Sequence, residues 1–197
     1  MLKVVITGTP GVGKHTIAES LSIVMGNIPI LDINRIILSE NLLTASSKKN
    51  DSNNDNEVDI QKSYEFLTFL LSEDKFQDSI IVGHLAPYVI TPDLVDFVVV
   101  LRRSPYELKK IYHERSYSES KTRDNINAEI LGILSYDASK NFEFSKLSEL
   151  ENSNNLIPSS VAHCIFNMYL NPKSRSFGFI DWLSLIQSDP EMLKYIK

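Results

Sequence analysis

The chain has 197 residues, 43% of them hydrophobic and 23% charged, the composition of an ordinary globular domain, which excludes the collagen-like, disordered and disulfide-scaffold classes. Twenty Lys and Arg against 25 Asp and Glu leave a net charge of −5, which suits a basic protein partner better than it suits general or sequence-specific nucleic-acid binding. A single cysteine, Cys164, permits no intrachain disulfide and points to a reducing compartment, and no apolar run approaches the ~18 residues of a membrane span.

Residues 2–7 are an apolar run ending at the first glycine, too short for the core of a secretory signal and suited to a buried strand. Residues 14–25 follow with Ile17, Leu21 and Val24 at helical spacing. A second short strand is predicted at 29–32, then a helix over 33–43 with Ile33, Ile36, Ile37 and Leu43 on its apolar face. Residues 46–57 contain no apolar residue and form a solvated loop, long enough to be functional or disordered. Helical spacing resumes over 60–71, and strands are predicted at 79–82 and 97–101. A helix with Pro at its start spans 105–114. The polar segment 115–123 leads to Asp124, which has the character of an N-cap for a long helix reaching Phe142. Leu156 and Ile157 suggest a last short strand, 160–170 a helix stopped by Pro172, and the tail from 177 an amphipathic helix around Trp182. Strands alternating with helices predict an α/β fold, a mostly parallel five-stranded sheet flanked by helices in a single domain over 1–197.

Glycine usage singles out one site. Only seven glycines occur, and Gly8, Gly11 and Gly13 fall within six residues, so the backbone there needs unusual geometry. Residues 8–16 read G-T-P-G-V-G-K-H-T between a predicted strand and a predicted helix, the context in which a phosphate loop is credible. Glycines let successive backbone N–H groups turn inward around phosphate oxygens, and the helix N-terminus adds its positive end. Lys14 is placed to reach the β- and γ-phosphates, and Thr16 supplies a hydroxyl. The usual pattern has Ser or Thr directly after the lysine; here that position is His15 and the hydroxyl follows one residue later, the offset of adenylate-kinase-type loops. His15 either points outward on the first helical turn or meets a phosphate or a metal-bound water as neutral imidazole.

Three further stretches carry a resemblance: I-I-V-G-H-L (80–85), L-R-R-S-P-Y-E-L-K-K (101–110) and H-E-R-S-Y-S-E-S-K-T-R-D-N-I-N-A-E-I (113–130). With the loop, they make the chain resemble the atypical adenylate kinases of ribosome assembly, the adenylate kinase isoenzyme 6 type, over residues 1–145 and more weakly through Trp182. The resemblance implies a P-loop kinase fold with a monophosphate-binding region at 31–54 and a lid at 114–124. It implies that Gly11, Val12, Gly13, Lys14, His15 and Thr16 bind the phosphates of ATP, with Thr16 toward Mg2+, that Arg115 is the lid arginine that contacts ATP, and that Trp182 belongs to a C-terminal helix. Lys14, Arg115 and His84 are the expected catalytic residues. The alternative for Arg115, Lys121 and Arg123 on spacing alone is a solvated charged loop.

The chain also departs from that family. An acidic residue commonly stands two positions before the histidine that ends the third strand, and here that position is Val82, followed by Gly83 and His84. His84 sits where open α/β sheets bind ligands; it either orients a water or touches the γ-phosphate, or it is a hydrogen-bonded structural residue. His113 and His163 have no metal-like spacing. Asp32 and Asp59 are candidates for the missing carboxylate and for substrate contact. An arginine grips the monophosphate in ordinary adenylate kinases; none occurs in 46–57, which leaves Arg35 or Arg102. The expected activity is transfer of the γ-phosphate of ATP to AMP or a related nucleoside monophosphate, together with ATP hydrolysis in maturation of the small ribosomal subunit through a ribosomal-protein client, in the cytoplasm or, in a eukaryote, the nucleus. The alternative is a P-loop kinase of another small metabolite.

Overall fold

In the computed structural model, which describes residues 2–44, 57–153 and 155–196, the apolar runs become the strands of one sheet. The strands β1 (Leu2–Thr7), β2 (Ile30–Asp32), β3 (Asp78–Val82), β4 (Phe97–Arg102) and β5 (Leu147–Glu151) lie in the order β2-β3-β1-β4-β5. Every pairing is parallel, so both faces need helical cover and the central strands are apolar at successive positions rather than alternating. In β4 all six residues are buried.

The two-residue period of a strand divides these side chains between two cores. Val4, Ile6, Ile80, Val82, Val99 and Leu101 join one core, with apolar residues of α1 (Lys14–Val24), α5 (Pro105–Glu114), α6 (Glu119–Ile130), α8 (Pro158–Leu170), α9 (Trp182–Ile186) and α10 (Pro190–Leu193). Val5, Ile81, Val98 and Val100 join the other, with α2 (Ile33–Ser39), α3 (Ile60–Leu71), α4 (Ala86–Val89) and α7 (Ile133–Asn141). The chain leaves β1 for β2 and β3 on one side and then crosses to β4 on the other. The reversal opens a crevice at the C-terminal ends of the central strands, where such sheets bind ligands.

Three elements differ from the sequence expectation. The long helix over 124–142 is two helices, α6 and α7, broken where Gly132 takes φ 65°. Its cap is Ser118, whose hydroxyl oxygen accepts from the Lys121 amide at 3.3 Å, and Asp124 lies inside α6. The last strand is β5, and Leu156 and Ile157 lie outside it, in the lead into α8. The helix predicted to reach residue 43 ends at Ser39 because Asn41 turns to φ 53°, and Leu43 instead bridges Val58. No helix among the described residues is long and apolar enough to cross a membrane.

Candidate active site

The loop between β1 and α1 is shaped from behind by close packing. Gly8 has φ 132°, and a Cβ there would lie 2.2 Å from the Leu101 carbonyl oxygen of the neighbouring strand. Gly13, with φ 95°, starts α1, and a Cβ there would lie 2.6 Å from Asn152 Nδ2. That Asn152 amide donates to the Val12 carbonyl at 2.7 Å, and the Tyr112 hydroxyl donates to the Pro10 carbonyl. The loop is thus held by groups from just beyond β5 and from α5, and within it the Val12 amide donates to the Thr9 carbonyl at 3.4 Å.

Lys14 curls back over the loop. Its Nζ donates to the carbonyls of Gly8 at 2.8 Å and Thr9 at 3.0 Å. Burial pushes its pKa down to about 8, opposed first by the carboxylate of Glu129 and aided by the positive charge of Arg115. A cation so placed is poorly solvated and gains from an arriving phosphate.

Glu129 is the hub behind the loop. One of its oxygens accepts from the Thr9 hydroxyl at 2.5 Å; the other accepts from Arg102 Nε at 2.8 Å, the Arg103 amide at 3.0 Å and Trp182 Nε1 at 2.9 Å. Arg102 also donates through Nη1 to Glu149 at 2.7 Å, and both carboxylates are 1% exposed. Burying two carboxylates requires such donors.

A cavity of about 910 Å³ opens in front of the loop. Thr9, Pro10, Gly11, Gly13, Lys14, His15 and Thr16 form one wall. Asn34 of α2 and His84 form a second, and Arg115, Tyr117, Ser118, Ser120, Lys121, Asp124 and Asn125 a third. Arg115 closes α5, Ser116 takes φ 53°, and Ser118 starts α6, so this third wall is a tight helix–turn–helix. Tyr117 stacks on Tyr112 with ring centroids 5.2 Å apart, and the Lys121 ammonium lies 4.6 Å from the Tyr117 ring.

The structure therefore brings Gly11, Gly13, Lys14, His15, Thr16, His84 and Arg115 to one space. His84 is half-buried; burial first, and Lys14 and Lys121 after it, push its pKa down to about 4, which makes its ring neutral at ordinary pH. Asp32 Oδ2 lies 2.8 Å from His15 Nε2, at the rim. Val12 is outside the cavity lining, its side chain fully buried in the core beside α1. Arg35 is exposed and outside the cavity lining, with its amide donating to Asp32. Asp59 does not reach the cavity; it caps α3 by accepting from the Lys62 amide at 3.1 Å and pairs with the Lys62 ammonium at 3.0 Å. Arg102 is committed to its two buried carboxylates and has no reach toward a monophosphate. Val82 is fully buried in the same core as Val12 and does not line the site. Residues 45–54 of the predicted monophosphate region lie outside the described residues.

A parallel α/β sheet with a glycine-rich phosphate loop at its switch point defines a nucleotide-binding P-loop kinase fold. The AAA domain family model matches residues 4–132, and the chain belongs to that family. Curated relatives carry the name "Putative adenylate kinase". The one from Methanococcus maripaludis is 29% identical over 184 residues, covering 91% of this chain and 94% of its own. The one from Methanocaldococcus jannaschii is 29% identical over 181 residues, covering 92% and 93%. Among solved structures, the shikimate kinase of Bacteroides thetaiotaomicron superposes with TM-score 0.59 at 14% identity, over 85% of this chain and 97% of that one. The shikimate kinase of Acinetobacter baumannii, solved with shikimate, gives 0.58 at 16% identity, over 89% and 96%. At these identities the likeness is one of fold.

Proposed function

We propose that this chain is an ATP-dependent phosphotransferase of adenylate-kinase type, moving the γ-phosphoryl group of ATP to AMP or a related nucleoside monophosphate. The observation that carries the proposal is the convergence, on one cavity, of the glycine loop and Lys14 with Arg115 and Lys121 from the α5–α6 turn. Phosphoryl transfer is catalysed by positioning and by charge stabilisation, and this wall arrangement supplies both. The loop N–H groups and Lys14 hold the phosphates, Arg115 engages from the opposite side, and neutral His84 orients the acceptor oxygen or a water beside the γ-phosphate. We assign 114–124 as a lid, 31–54 as the acceptor region with Asn34 its cavity-lining residue, and 1–197 as one domain. ATP requires a divalent cation, Mg2+ in most such enzymes, which neutralises the β- and γ-oxygens. The Thr16 hydroxyl, on the first turn of α1 and lining the cavity, is the oxygen donor that would stand toward such an ion, the remaining positions falling to phosphate oxygens and water.

The resemblance over residues 101–130 and the net charge of −5 support a finer reading: an ATPase in maturation of the small ribosomal subunit, acting on a basic ribosomal protein in the cytoplasm or nucleus. One observation favours a second reading, a kinase of another small metabolite: among the described residues no arginine of 31–54 lines the cavity. Incubation with ATP, with and without each monophosphate, followed by separation of the nucleotides, discriminates these readings. Nucleoside diphosphate in excess of inorganic phosphate supports the kinase, equal amounts support hydrolysis alone, and turnover unchanged in Lys14→Ala would refute the phosphate-loop assignment.

A further inference from the structure

Behind the phosphate loop a chain of hydrogen bonds runs from the C-terminal helix α9 to the lysine. Trp182 is the first residue of α9, and its indole Nε1 donates to Glu129 Oε1 at 2.9 Å. The other oxygen of Glu129 accepts from the Thr9 hydroxyl at 2.5 Å, and the Thr9 carbonyl accepts from Lys14 Nζ at 3.0 Å. All four residues are buried. Hydrogen bonds in such surroundings act on one another strongly, because little water screens them.

The segment that carries the indole is fastened without help from the loop. Asp181 caps α9 by accepting from the Ser184 amide at 3.0 Å, Ile186 is fully buried in the core, and the Gly178 amide donates to Glu149 at 3.0 Å. Without the indole, Glu129 Oε1 would be aligned by Arg102 and the Arg103 amide alone, at and just after the end of β4. Trp182 adds a donor from a separate element. A buried indole N–H needs an acceptor, and any carbonyl would meet that need. Here the acceptor is the one carboxylate bonded to the loop, which makes the pair a link as well as a packing contact.

We propose that Trp182 is a positioning residue for the phosphate site: through Glu129 and Thr9 it fixes the carbonyl on which Lys14 rests, so that nucleotide binding is coupled to the seat of α9. The proposal rests on the nucleotide-binding reading above and adds to it a contribution from the C-terminal segment. The competing account is an indole that only fills the core.

Two measurements on the full chain separate these accounts. Trp182 is the only tryptophan in the sequence, so its fluorescence reads the link in the unaltered protein. ADP draws Lys14 toward phosphate oxygens and away from the Thr9 carbonyl, and the emission maximum should shift as ADP saturates the protein. Thr9→Val keeps the shape of the side chain and removes the hydroxyl; it should bind ADP more weakly and lose the shift. Calorimetric ADP affinities of wild type, Trp182→Phe, Thr9→Val and the double variant complete a cycle. Trp182→Phe keeps an aromatic ring and should weaken ADP binding about fivefold in the wild-type background, roughly the worth of one hydrogen bond. Where Thr9 is already Val, the same change should weaken it by less than about twofold. Equal losses in both backgrounds would overturn the link and leave Trp182 a core residue. So would an ADP-dependent shift of wild-type size in Thr9→Val, or ADP binding to wild type with no change in emission. Should Trp182→Phe fail to fold, the emission comparison between wild type and Thr9→Val decides by itself. Absence of ADP binding to wild type would instead overturn the phosphate-loop reading and this coupling with it.

Discussion

Nucleotide binding should take up a proton at mildly alkaline pH, and the cause is Lys14. Its pKa is about 8 because the ammonium is buried, with the Glu129 charge only partly offsetting that burial. Triphosphate oxygens at hydrogen-bond distance favour the charged form and restore the ordinary lysine range. At pH 8 about half of the molecules carry a neutral Lys14 before nucleotide is added, so binding should capture about 0.5 proton, rising to about 0.9 at pH 9. The sign follows: the bound state holds more protons than the free state above pH 8, so affinity falls as pH rises. Between pH 7 and pH 9 the fall is about tenfold, about 1.4 kcal/mol. Titration calorimetry with ATP in two buffers of different ionisation enthalpy reads the proton count directly, since the captured proton comes from the buffer. Lys14→Met provides the control, with weaker binding and no buffer dependence. A wild-type binding heat identical in both buffers at pH 8.5 would refute the reasoning, as would affinity unchanged from pH 7 to pH 9.

The remaining predictions concern the walls of the cavity and the frame behind it. Arg115→Ala should lower kcat more than it raises KM, because a cation engaging late stabilises the transition state more than the ground state; an unchanged rate at saturating ATP would make Arg115 a solvated surface charge. Gly8→Ala places a Cβ 2.2 Å from a backbone oxygen at φ 132° and should cost at least about 3 kcal/mol in urea denaturation. Arg102→Met strands Glu129 and Glu149 in the interior, a loss of about 3–5 kcal/mol that Glu149→Gln added to the same chain should partly recover. His84, with its pKa near 4, should show no imidazole titration by NMR between pH 8 and pH 5; a midpoint near 6.5 would contradict its burial beside Lys14.

The parts of this molecule that were readable beforehand are those specified locally. The phosphate loop needs nothing outside residues 8–16 to be recognised, because its glycines, lysine and flanking elements lie within one strand–turn–helix. The strands β1, β3 and β4 are equally plain as apolar runs. What escaped depends on partners far along the chain. β5 carries buried Ser148 and Glu149, polar residues that conceal a sheet strand until Arg102, 47 residues away, is seen to meet Glu149. Arg102 itself reads as an available cation only while Glu129 is unseen. Gly132 looks tolerable inside one helix, yet its φ of 65° and the Arg102 guanidinium packed 3.4 Å from where its Cβ would be end α6 there. Asp59 has the composition of a substrate ligand and the position of a helix cap, and the sequence signal for the cap, an acid just before an apolar-periodic run, was present. Asn152, which holds Val12, offers no local signal at all.

Glu129 explains why these distant parts belong together. Lys14 has to be charged to attract phosphate and buried to act strongly on it, and those demands oppose each other. A carboxylate behind the loop relieves the conflict, and the Glu129 charge is the strongest effect opposing the burial of Lys14. That carboxylate is itself buried, so it needs donors on both oxygens. Thr9 supplies one, from the loop; Arg102, Arg103 and Trp182 supply the rest, from β4, the turn after it and the C-terminal helix α9. Arg102 in turn carries Glu149, whose second oxygen accepts from the Gly178 amide at 3.0 Å. Two buried cations, Lys14 and Arg102, thus face two buried carboxylates, Glu129 and Glu149. The charge at the phosphate site is a property of this four-membered set, and Trp182, far from the loop in sequence and buried in the fold, helps to hold it there.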